Sequence, residues 1–340
     1  MTLRPEDLLC PGLSGLYSPL GDFYIDPTRP VPRALITHGH SDHARPGHDA
    51  VLATSETLSI MASRLGEGFA GTRQPAAYGE TISINGVDVT FIPAGHVLGS
   101  AQILVEAKGL RIVASGDYKR QADPTCATFV PIRCDVFITE ATFGLPVFRH
   151  PSAADEVDRL IASTVQFPER THFVGAYALG KSQRLIRLLR DAGYDRPIYI
   201  HGALDSLCRL YEAEGVALGP LAHATDNSLA REDFAGAIVI GPSGAFEGPW
   251  SRRFADPIVG FASGWMRIRQ RAKQGGVELP LVISDHGDWD ELTETIRDTG
   301  AETVWVTHGR EEALVRWAQL NGIEARPLHL IGYEDEEGEV

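Results

Sequence analysis

The sequence of 340 residues predicts a mixed α/β protein in which a strand-rich domain is interrupted by a second domain. From residue 22 to about 145, short apolar runs alternate with turn residues, and Asn85-Gly86 between two such runs is typical of a β-hairpin. After residue 150, strands alternate with helices, which is typical of a parallel sheet. From about 280 a strand and helix pattern returns. We therefore expect one domain from residues 1–150 and 280–340, with residues 151–279 inserted in it.

Individual elements follow from local patterns. Thr54 to Leu65 predicts a helix in the first domain. Ser152, followed by acidic residues, predicts the start of a helix in the insert. Phe173-Val174-Gly175-Ala176 predicts a buried strand, and a helix is expected to follow from Lys181. These elements are sufficient to place the polar motifs at strand ends.

Composition limits the class of protein. Apolar residues make up 43% of the chain, which is enough for a substantial core. The net charge of −14 argues against a broad basic footprint for nucleic acid, although bound divalent ions would add positive charge at a site. The four cysteines form no C-x-x-C pair, so free thiols in a reducing cytosol are expected. The sequence lacks an apolar run of about 18 residues, so we expect a cytoplasmic protein and no membrane partner.

The segment His38-Gly39-His40-Ser41-Asp42-His43 places four metal-binding side chains within six residues. It follows the apolar run Ala34-Leu35-Ile36-Thr37. On an extended backbone His38, His40 and Asp42 share one face, whereas His43 requires a turn. The ligands can therefore divide between two ions. Imidazoles and a carboxylate suit Zn²⁺ or a similar divalent ion.

This motif resembles the signature of the metallo-β-lactamase fold, and four other strand ends carry the residues that the resemblance requires. They are Asp26, His96, Asp117 and His308. The resemblance implies that two divalent ions, Zn²⁺ or Mn²⁺, are bound. It assigns the first ion to His38, His40 and His96, and the second to Asp42, His43 and His308, with Asp117 as the bridge. It implies that Asp26 orients ligand side chains.

The insert resembles the β-CASP branch of that fold, whose members cleave phosphodiesters in DNA or RNA. Its motifs match Glu140 in Thr139-Glu140-Ala141, His286 in Ser284-Asp285-His286-Gly287-Asp288-Trp289, and His308. The segment 178–184 resembles the turn that opens the β-CASP domain. The expected fold is thus a metallo-β-lactamase αββα sandwich interrupted by an inserted β-CASP α/β domain. The chain most resembles the short bacterial ligase-associated DNA exonucleases.

The resemblance also implies the chemistry. The expected activity is metal-dependent cleavage of phosphodiesters by two-metal activation of water, in a DNA exonuclease that acts in repair. The expected catalytic residues are His286, Asp42 and Glu140. His286 would contact the scissile phosphate or protonate the leaving oxygen, Glu140 would hydrogen-bond a ligating histidine, and Asp288 would fix the tautomer of His286 or cap a helix. Expected partners are single-stranded DNA or duplex ends and, functionally, a DNA ligase.

Basic clusters are the candidates for contacts with nucleic acid. Four positive charges lie within seven residues just before the His286 strand: Arg267, Arg269, Arg271 and Lys273. They are expected to bind the nucleic-acid backbone, with a solvated surface as the alternative. Gly180-Lys181-Ser182 at a helix start is expected to hold an anion on free N–H groups, with Lys181 and Ser182 as contacts.

Three alternatives remain open from the sequence. An RNA-processing nuclease on the same scaffold is poorly distinguished from a DNA nuclease. A small-molecule hydrolase of the glyoxalase type is less compatible with the insert and His286. A non-catalytic scaffold subunit is disfavoured because all seven expected ligands are present.

Overall fold

A computed structural model of the chain describes residues 3–330, apart from residues 227, 243, 246–250, 252, 253 and 255. The described residues form two compact units. The first runs to Arg149 and resumes at His286, and the second runs from His150 to Asp285. Residues 331–340, at the end of the expected first domain, lie outside the described range. The described part of the chain is a mixed α/β structure with three sheets.

The first unit contains two of these sheets; elements are numbered by their position in the chain. The first sheet has the order β1 (Cys10–Gly12), β2 (Gly15–Ser18), β3 (Phe23–Ile25), β4 (Arg33–Leu35), β5 (His48–Ala53) and β6 (Ala70–Pro75). The second has the order β19 (Glu324–Pro327), β18 (Thr303–Gly309), β11 (Val136–Ala141), β10 (Leu110–Ala114), β9 (Ala101–Ala107), β8 (Val87–Pro93) and β7 (Thr81–Ile84). The helices of this unit are α1 (Pro5–Leu8), α2 (Ser55–Leu65), α7 (Trp289–Thr299) and α8 (Glu311–Leu320).

Asn85 and Gly86 connect β7 to β8, which confirms the predicted hairpin. Both residues have positive φ angles, 52° and 81°. The two-residue turn therefore has the left-handed backbone that matches the twist of the strands. It sets the antiparallel register in which Ile84 faces Val87 and Thr81 faces Thr90.

The cores of the first unit explain its layers. Apolar side chains from the facing surfaces of its two sheets form one core, which includes Phe23, Leu35, Phe91, Ile103, Ile112 and Trp305. A second core joins the other face of the first sheet to α2, through residues such as Val51 and Met61. A third joins the other face of the second sheet to α7 and α8, with Val113, Leu292 and Leu314 as examples. Helices therefore cover the outer faces of both sheets.

The second unit has one parallel sheet. Its strands have the order β14 (Leu221–His223), β13 (Ile198–Ile200), β15 (Ile238–Gly241), β12 (His172–Gly175), β16 (Ile258–Ala262) and β17 (Leu279–Leu281). Its helices are α3 (Ala153–Gln166), α4 (Lys181–Asp191), α5 (Asp205–Ala213) and α6 (Arg269–Gln274). The hydroxyl of Ser152 accepts from Ala154 N at 3.2 Å, so the predicted cap of α3 is confirmed.

No helix in the described part of the chain is both long and apolar enough to cross a membrane.

One buried histidine gives a prediction of pH-dependent stability. His48 is buried, its Nδ1 accepts from Val31 N at 3.2 Å, and burial lowers its pKa. The unfolded chain therefore binds this proton first as the pH falls, and the stability contributed by the neutral ring decreases below about pH 6.5. His48→Asn retains an acceptor near the same place but does not titrate. We expect the variant to lose less stability on acidification, by at most about 1.4 kcal/mol per pH unit.

The free energy of urea unfolding of the metal-free protein, measured at pH 7.5 and 5.5, tests this difference. An equal loss in the variant and the parent protein would show that His48 does not contribute.

Candidate metal centre

The histidine-rich loop begins just after β4. Ile36, Thr37 and His38 follow the strand and are buried, although the strand itself ends at Leu35. The N–H groups of His43 and Ala44 both donate to the carbonyl of His40, at 3.3 and 2.7 Å. This tight turn is the one that His43 requires, but it begins before Asp42, so Asp42 joins the donor set of His43 and does not share the face of His38 and His40 that an extended backbone predicts.

Four buried or partly buried donors form the first potential ligand set. His40 Nδ1 lies 3.1 Å from His38 Nε2 and 3.0 Å from His96 Nε2. Asp117 Oδ2 lies 3.3 Å from His38 Nε2 and 3.7 Å from His96 Nε2. The donors come from three loops that are distant in the sequence.

The second potential set shares Asp117 with the first. Asp117 Oδ2 lies 3.4 Å from His43 Nε2, and Asp42 Oδ2 lies 3.5 Å from the same nitrogen. All three donors lie within 4.8 Å of one another. One carboxylate oxygen, Asp117 Oδ2, therefore faces donors of both sets.

These distances fit a bound metal ion. Zinc bonds of about 2.0–2.1 Å at tetrahedral angles place neighbouring ligand atoms roughly 3.3 Å apart. The separations in the two sets, 3.0–3.7 Å, are close to that spacing. Three imidazoles and a carboxylate are also ligands that suit Zn²⁺ and Mn²⁺.

The electrostatics favour the protonation states that metal ligands need at Asp117 and His38, but they oppose the neutral ring that a ligand needs at His43. Burial disfavours the charged form of Asp117, yet the neighbouring His43 and His38 hold its pKa well below its ordinary value. Burial lowers the pKa of His38 well below its usual range, so this ring is neutral. Burial also opposes the charging of His43, but the carboxylates of Asp117 and Asp42 raise its pKa well above normal. Metal binding must therefore displace a proton from His43.

Asp26 is hydrogen-bonded directly to His43 of the second set and, through Thr37, is linked to His38 of the first set. Its Oδ2 accepts from His43 Nδ1 at 2.8 Å and from Thr37 Oγ1 at 2.6 Å, and its Oδ1 accepts from Thr37 N at 2.7 Å. Thr37 Oγ1 in turn lies 3.0 Å from His38 Nδ1. These contacts are the ones that the expected orienting role of Asp26 would need, and the role stays a prediction. The sequence analysis did not predict that Thr37 links Asp26 to His38. A hydroxyl residue directly before a predicted ligand could have indicated such a hydrogen bond.

Asp26→Asn is expected to weaken metal binding by about 10–100-fold, because an amide would place N–H groups opposite the donors of His43 and Thr37. Competition with a chromophoric chelator would measure the affinity. Asp22→Asn, at an exposed residue that accepts from Tyr17 at 2.9 Å, is a matched control. Equal affinities in both variants would remove Asp26 from the metal centre.

His308 reaches the centre through a β-bulge. Between β11 and β18, Thr139 pairs with Val306 but Ala141 pairs with Gly309, so two residues of β18 oppose Glu140 alone. His308 has a φ of 55°, and its ring centroid lies 5.3 Å from that of His43. A bulge redirects the side chains that follow it. Within the described residues, however, His308 is not in a donor set with atoms inside 4.8 Å, so its role as a ligand stays a prediction.

Glu140 and His286 form a buried pair beside the first set. His286 Nδ1 lies 3.1 and 3.0 Å from the two oxygens of Glu140. Glu140 Oε1 also accepts from Tyr118 N at 2.9 Å. Burial raises the pKa of Glu140, and His286 opposes that rise. The expected partner of Glu140 was a ligating histidine; the structure places His286 there, with its ring centroid 4.6 Å from that of His96.

Asp288 lies at the start of α7. Its Oδ1 accepts from Asp290 N and Glu291 N, both at 3.0 Å, which caps α7. This is the alternative that the sequence left open. Glu140 lies at His286 Nδ1.

The expected anion site at the start of α4 is wrong. Gly180 N, Lys181 N and Ser182 N donate to Gln183 Oε1, Leu179 O and Tyr177 O. The buried Lys181 Nζ lies 2.9 Å from Asp285 Oδ1, and Ser182 Oγ donates to Tyr177 O at 2.7 Å. The turn satisfies its own N–H groups, so Lys181 and Ser182 stabilise the second unit instead of binding an anion.

The other basic cluster remains at the surface. Arg267, Arg269 and Lys273 are exposed on and just before α6. Among the described residues these three have no carboxylate within salt-bridge distance. Arg271 differs, because its guanidinium lies over the ring of Trp265, 4.1 Å from the centroid.

Comparisons with known proteins give partial matches. The chain is 28% identical over 319 residues to a probable DNA ligase of Opitutus terrae, which covers 92% of this chain and 30% of that protein. It is 33% identical over 141 residues to cleavage and polyadenylation specificity factor subunit 3 of Dictyostelium discoideum, covering 38% and 18%. It is 33% identical over 190 residues to endoribonuclease ysh-1 of Neurospora crassa, covering 52% and 22%. The chain thus spans less than a third of the length of these relatives.

A solved structure is similar in fold. It is a protein of unknown function from Enterococcus faecalis V583, with a TM-score of 0.57, 12% identity, and coverage of 89% of this chain and 80% of that one. No protein-family model matches the chain. The relatives are consistent with the β-CASP metallo-β-lactamase family, and they do not select the DNA exonuclease subtype.

Proposed function

We propose that the protein is a metal-dependent nuclease of the β-CASP type that cleaves DNA phosphodiesters. The observation that carries this proposal is the position of Asp117 Oδ2, which lies 3.3–3.7 Å from donors of two separate sets. A carboxylate shared by two ligand sets would hold two ions close together, as two-metal catalysis needs. In this proposal the first unit is the metallo-β-lactamase αββα sandwich, and the second is the β-CASP insert.

The residues have distinct parts in the mechanism. His38, His40 and His96 would hold one ion, Asp42 and His43 would hold the other with His308, and Asp117 would contribute to both. Two Zn²⁺ or Mn²⁺ ions bound there would supply an activated water and neutralise the charge on the phosphate.

His286 contributes acid chemistry. Glu140 occupies its Nδ1, which fixes the ring and stabilises a positive charge on it. The other nitrogen, Nε2, is then the atom that delivers a proton to the leaving oxygen.

DNA is the first choice of substrate because the relative that matches 92% of this chain is a probable DNA ligase. The same match supports a functional association with a ligase, whose joining reaction needs processed ends. RNA is the second candidate, because the chain is also similar to proteins named endoribonucleases. The glyoxalase-type hydrolase and the scaffold subunit receive no support from these relatives.

Incubation of the metal-reconstituted protein with DNA and RNA of the same sequence tests the proposal. The substrates carry 5′ or 3′ labels, in single- and double-stranded form. We expect metal-dependent cleavage that a chelator abolishes, with DNA cut faster than RNA. Asp117→Asn, purified identically, controls for contaminating nucleases. Faster cleavage of RNA would select the second candidate, and no cleavage of either polymer would overturn the proposed function.

The exposed basic cluster gives a separate prediction about binding. Arg267→Gln with Arg269→Gln is expected to weaken DNA binding for all sequences and to reduce the salt slope by about 1 per lost phosphate contact. Turnover at saturating DNA should change less, because these residues do not touch the reacting phosphorus.

A matched control neutralises two exposed cations of the first unit, Lys108 and Arg316. Fluorescence anisotropy at several salt concentrations measures both variants. Identical salt slopes in the two double variants would make the cluster an ordinary solvated surface.

A further inference from the structure

Helix α2 contacts two of the loops that carry the first donor set. At its N-terminal end, the hydroxyls of Thr54 and Thr57 donate to the carbonyl of Gly99, at 2.6 and 3.0 Å. Gly99 lies in the turn that carries His96. At the other end of the helix, the guanidinium of Arg64 donates to the carbonyl of Gly39, which lies between His38 and His40. Helix α2 and its N-cap residue Thr54 are therefore hydrogen-bonded to the loop that carries His96 and to the loop that carries His38 and His40.

The contact at Gly99 leaves little room for movement. Gly99 has a φ of 77°, and a Cβ added there would lie 2.7 Å from Thr57 N and 2.8 Å from Thr54 Oγ1. Ser100 Oγ then accepts from His96 N at 3.1 Å, which links the fixed turn to the ligand itself. The Thr57 side chain is buried, so water cannot easily replace its hydrogen bond.

The hydrogen bond from Arg64 to Gly39 holds the segment that carries His38 and His40. A hydrogen bond from a guanidinium is charge-assisted and therefore stronger than a neutral one. It holds the peptide whose two neighbours are His38 and His40. Asp26 holds His43 directly and reaches His38 through Thr37, whereas the contacts of α2 are to the loops that carry His96 and the His38–His40 pair.

We propose that α2 positions the first metal ion's ligands, with Thr57 and Arg64 as the residues that set the positions of His96 and of the His38–His40 pair. Neither side chain belongs to a donor set. The proposal rests on the proposed metal centre and extends it, since it adds two anchors for the first ion's ligands to the one that Asp26 supplies. Loss of either anchor is expected to weaken one ion selectively, by about 10–100-fold, which is the usual effect of removing a partner that orients a ligand.

The test measures metal binding without nucleic acid, so its result is independent of the nuclease assay. Thr57→Val removes the hydroxyl at nearly constant shape, and Thr57→Ser restores it. Arg64→Met removes the donor from an exposed side chain that does not contribute to a core. Ser63→Ala, on the exposed face of the same helix, is the control. Chelator competition with Zn²⁺ gives the two affinities, Co²⁺ absorption reports the ligand geometry, and the Tm of the metal-free protein reports the fold.

We expect Thr57→Val and Arg64→Met each to weaken one of two ions and to alter the Co²⁺ spectrum, while Thr57→Ser and Ser63→Ala match the parent protein. Unchanged affinities in Arg64→Met and Thr57→Val would overturn the proposal. Equal weakening of both ions together with a lower metal-free Tm would also overturn it, because the effect would then be a general loss of stability. If Thr57→Val does not fold, Arg64→Met alone decides between these outcomes. A parent protein that binds two ions but cleaves no nucleic acid would remove the proposed function and leave this inference standing.

Discussion

Asp117→Asn is expected to reduce the metal content of the protein below two ions per chain and to lower cleavage by about 10³-fold or more, roughly 4 kcal/mol of transition-state stabilisation. Asp117 Oδ2 is the only oxygen among the described donor atoms that both sets share. The asparagine amide carries no negative charge. Because the site is buried, water cannot easily compensate for the loss of the Asp117 charge.

Metal analysis after reconstitution and single-turnover cleavage test this prediction together. Asp88→Asn, at an exposed position on β8, is the control. Two tightly bound ions in Asp117→Asn would exclude a bridging role for Asp117, even if cleavage were reduced.

His286→Ala is expected to lower cleavage by about 10²–10⁴-fold, the usual contribution of a positioned general acid. The two ions should remain bound, because His286 is not in the predicted ligand set. The structure makes the measurement of metal content essential, since His286 also lies with Asp117 and Glu140 in a group of donors within 4.8 Å.

Glu140→Gln supplies the matched variant for this pair. It keeps the shape and an acceptor for Tyr118 N but removes the charge beside His286, so we expect a smaller loss than in His286→Ala. His329→Ala, at an exposed histidine, is the control. Loss of one ion in His286→Ala would make His286 a ligand and would contradict its assignment as an acid.

The metal motif could be predicted from the sequence because its donors lie at strand ends with short, regular spacing. The turn after His40 could be predicted from the position of His43. On a strand, His43 would point to the opposite face from His38 and His40, so only a turn can bring the three side chains together. The pairing of Glu140 with His286 could not be predicted in the same way. These two residues are distant in the sequence, and only the tertiary structure shows that Nδ1 of His286 faces Glu140.

The errors have physical causes. Lys181 and Ser182 looked free because a Gly-Lys-Ser turn at a helix start has N–H groups to offer, but Gln183 and two carbonyls satisfy them. For Asp288 the sequence left open a contact with His286 or a helix cap, and the backbone N–H groups at the start of α7 donate to its carboxylate. Helix propensity and residue spacing in the sequence do not show which acceptor each of these N–H groups will find in the folded chain.

The pairing of β18 with β11 has a consequence for the order of folding. These neighbouring strands are separated in the chain by all of the second unit. During synthesis the second unit emerges complete before β18 does, and the second sheet can close only afterwards. Contacts of such long sequence separation form slowly. His286 and His308 are therefore expected to join their partners late in folding, and a metal centre that uses them would be complete only after β18 has paired.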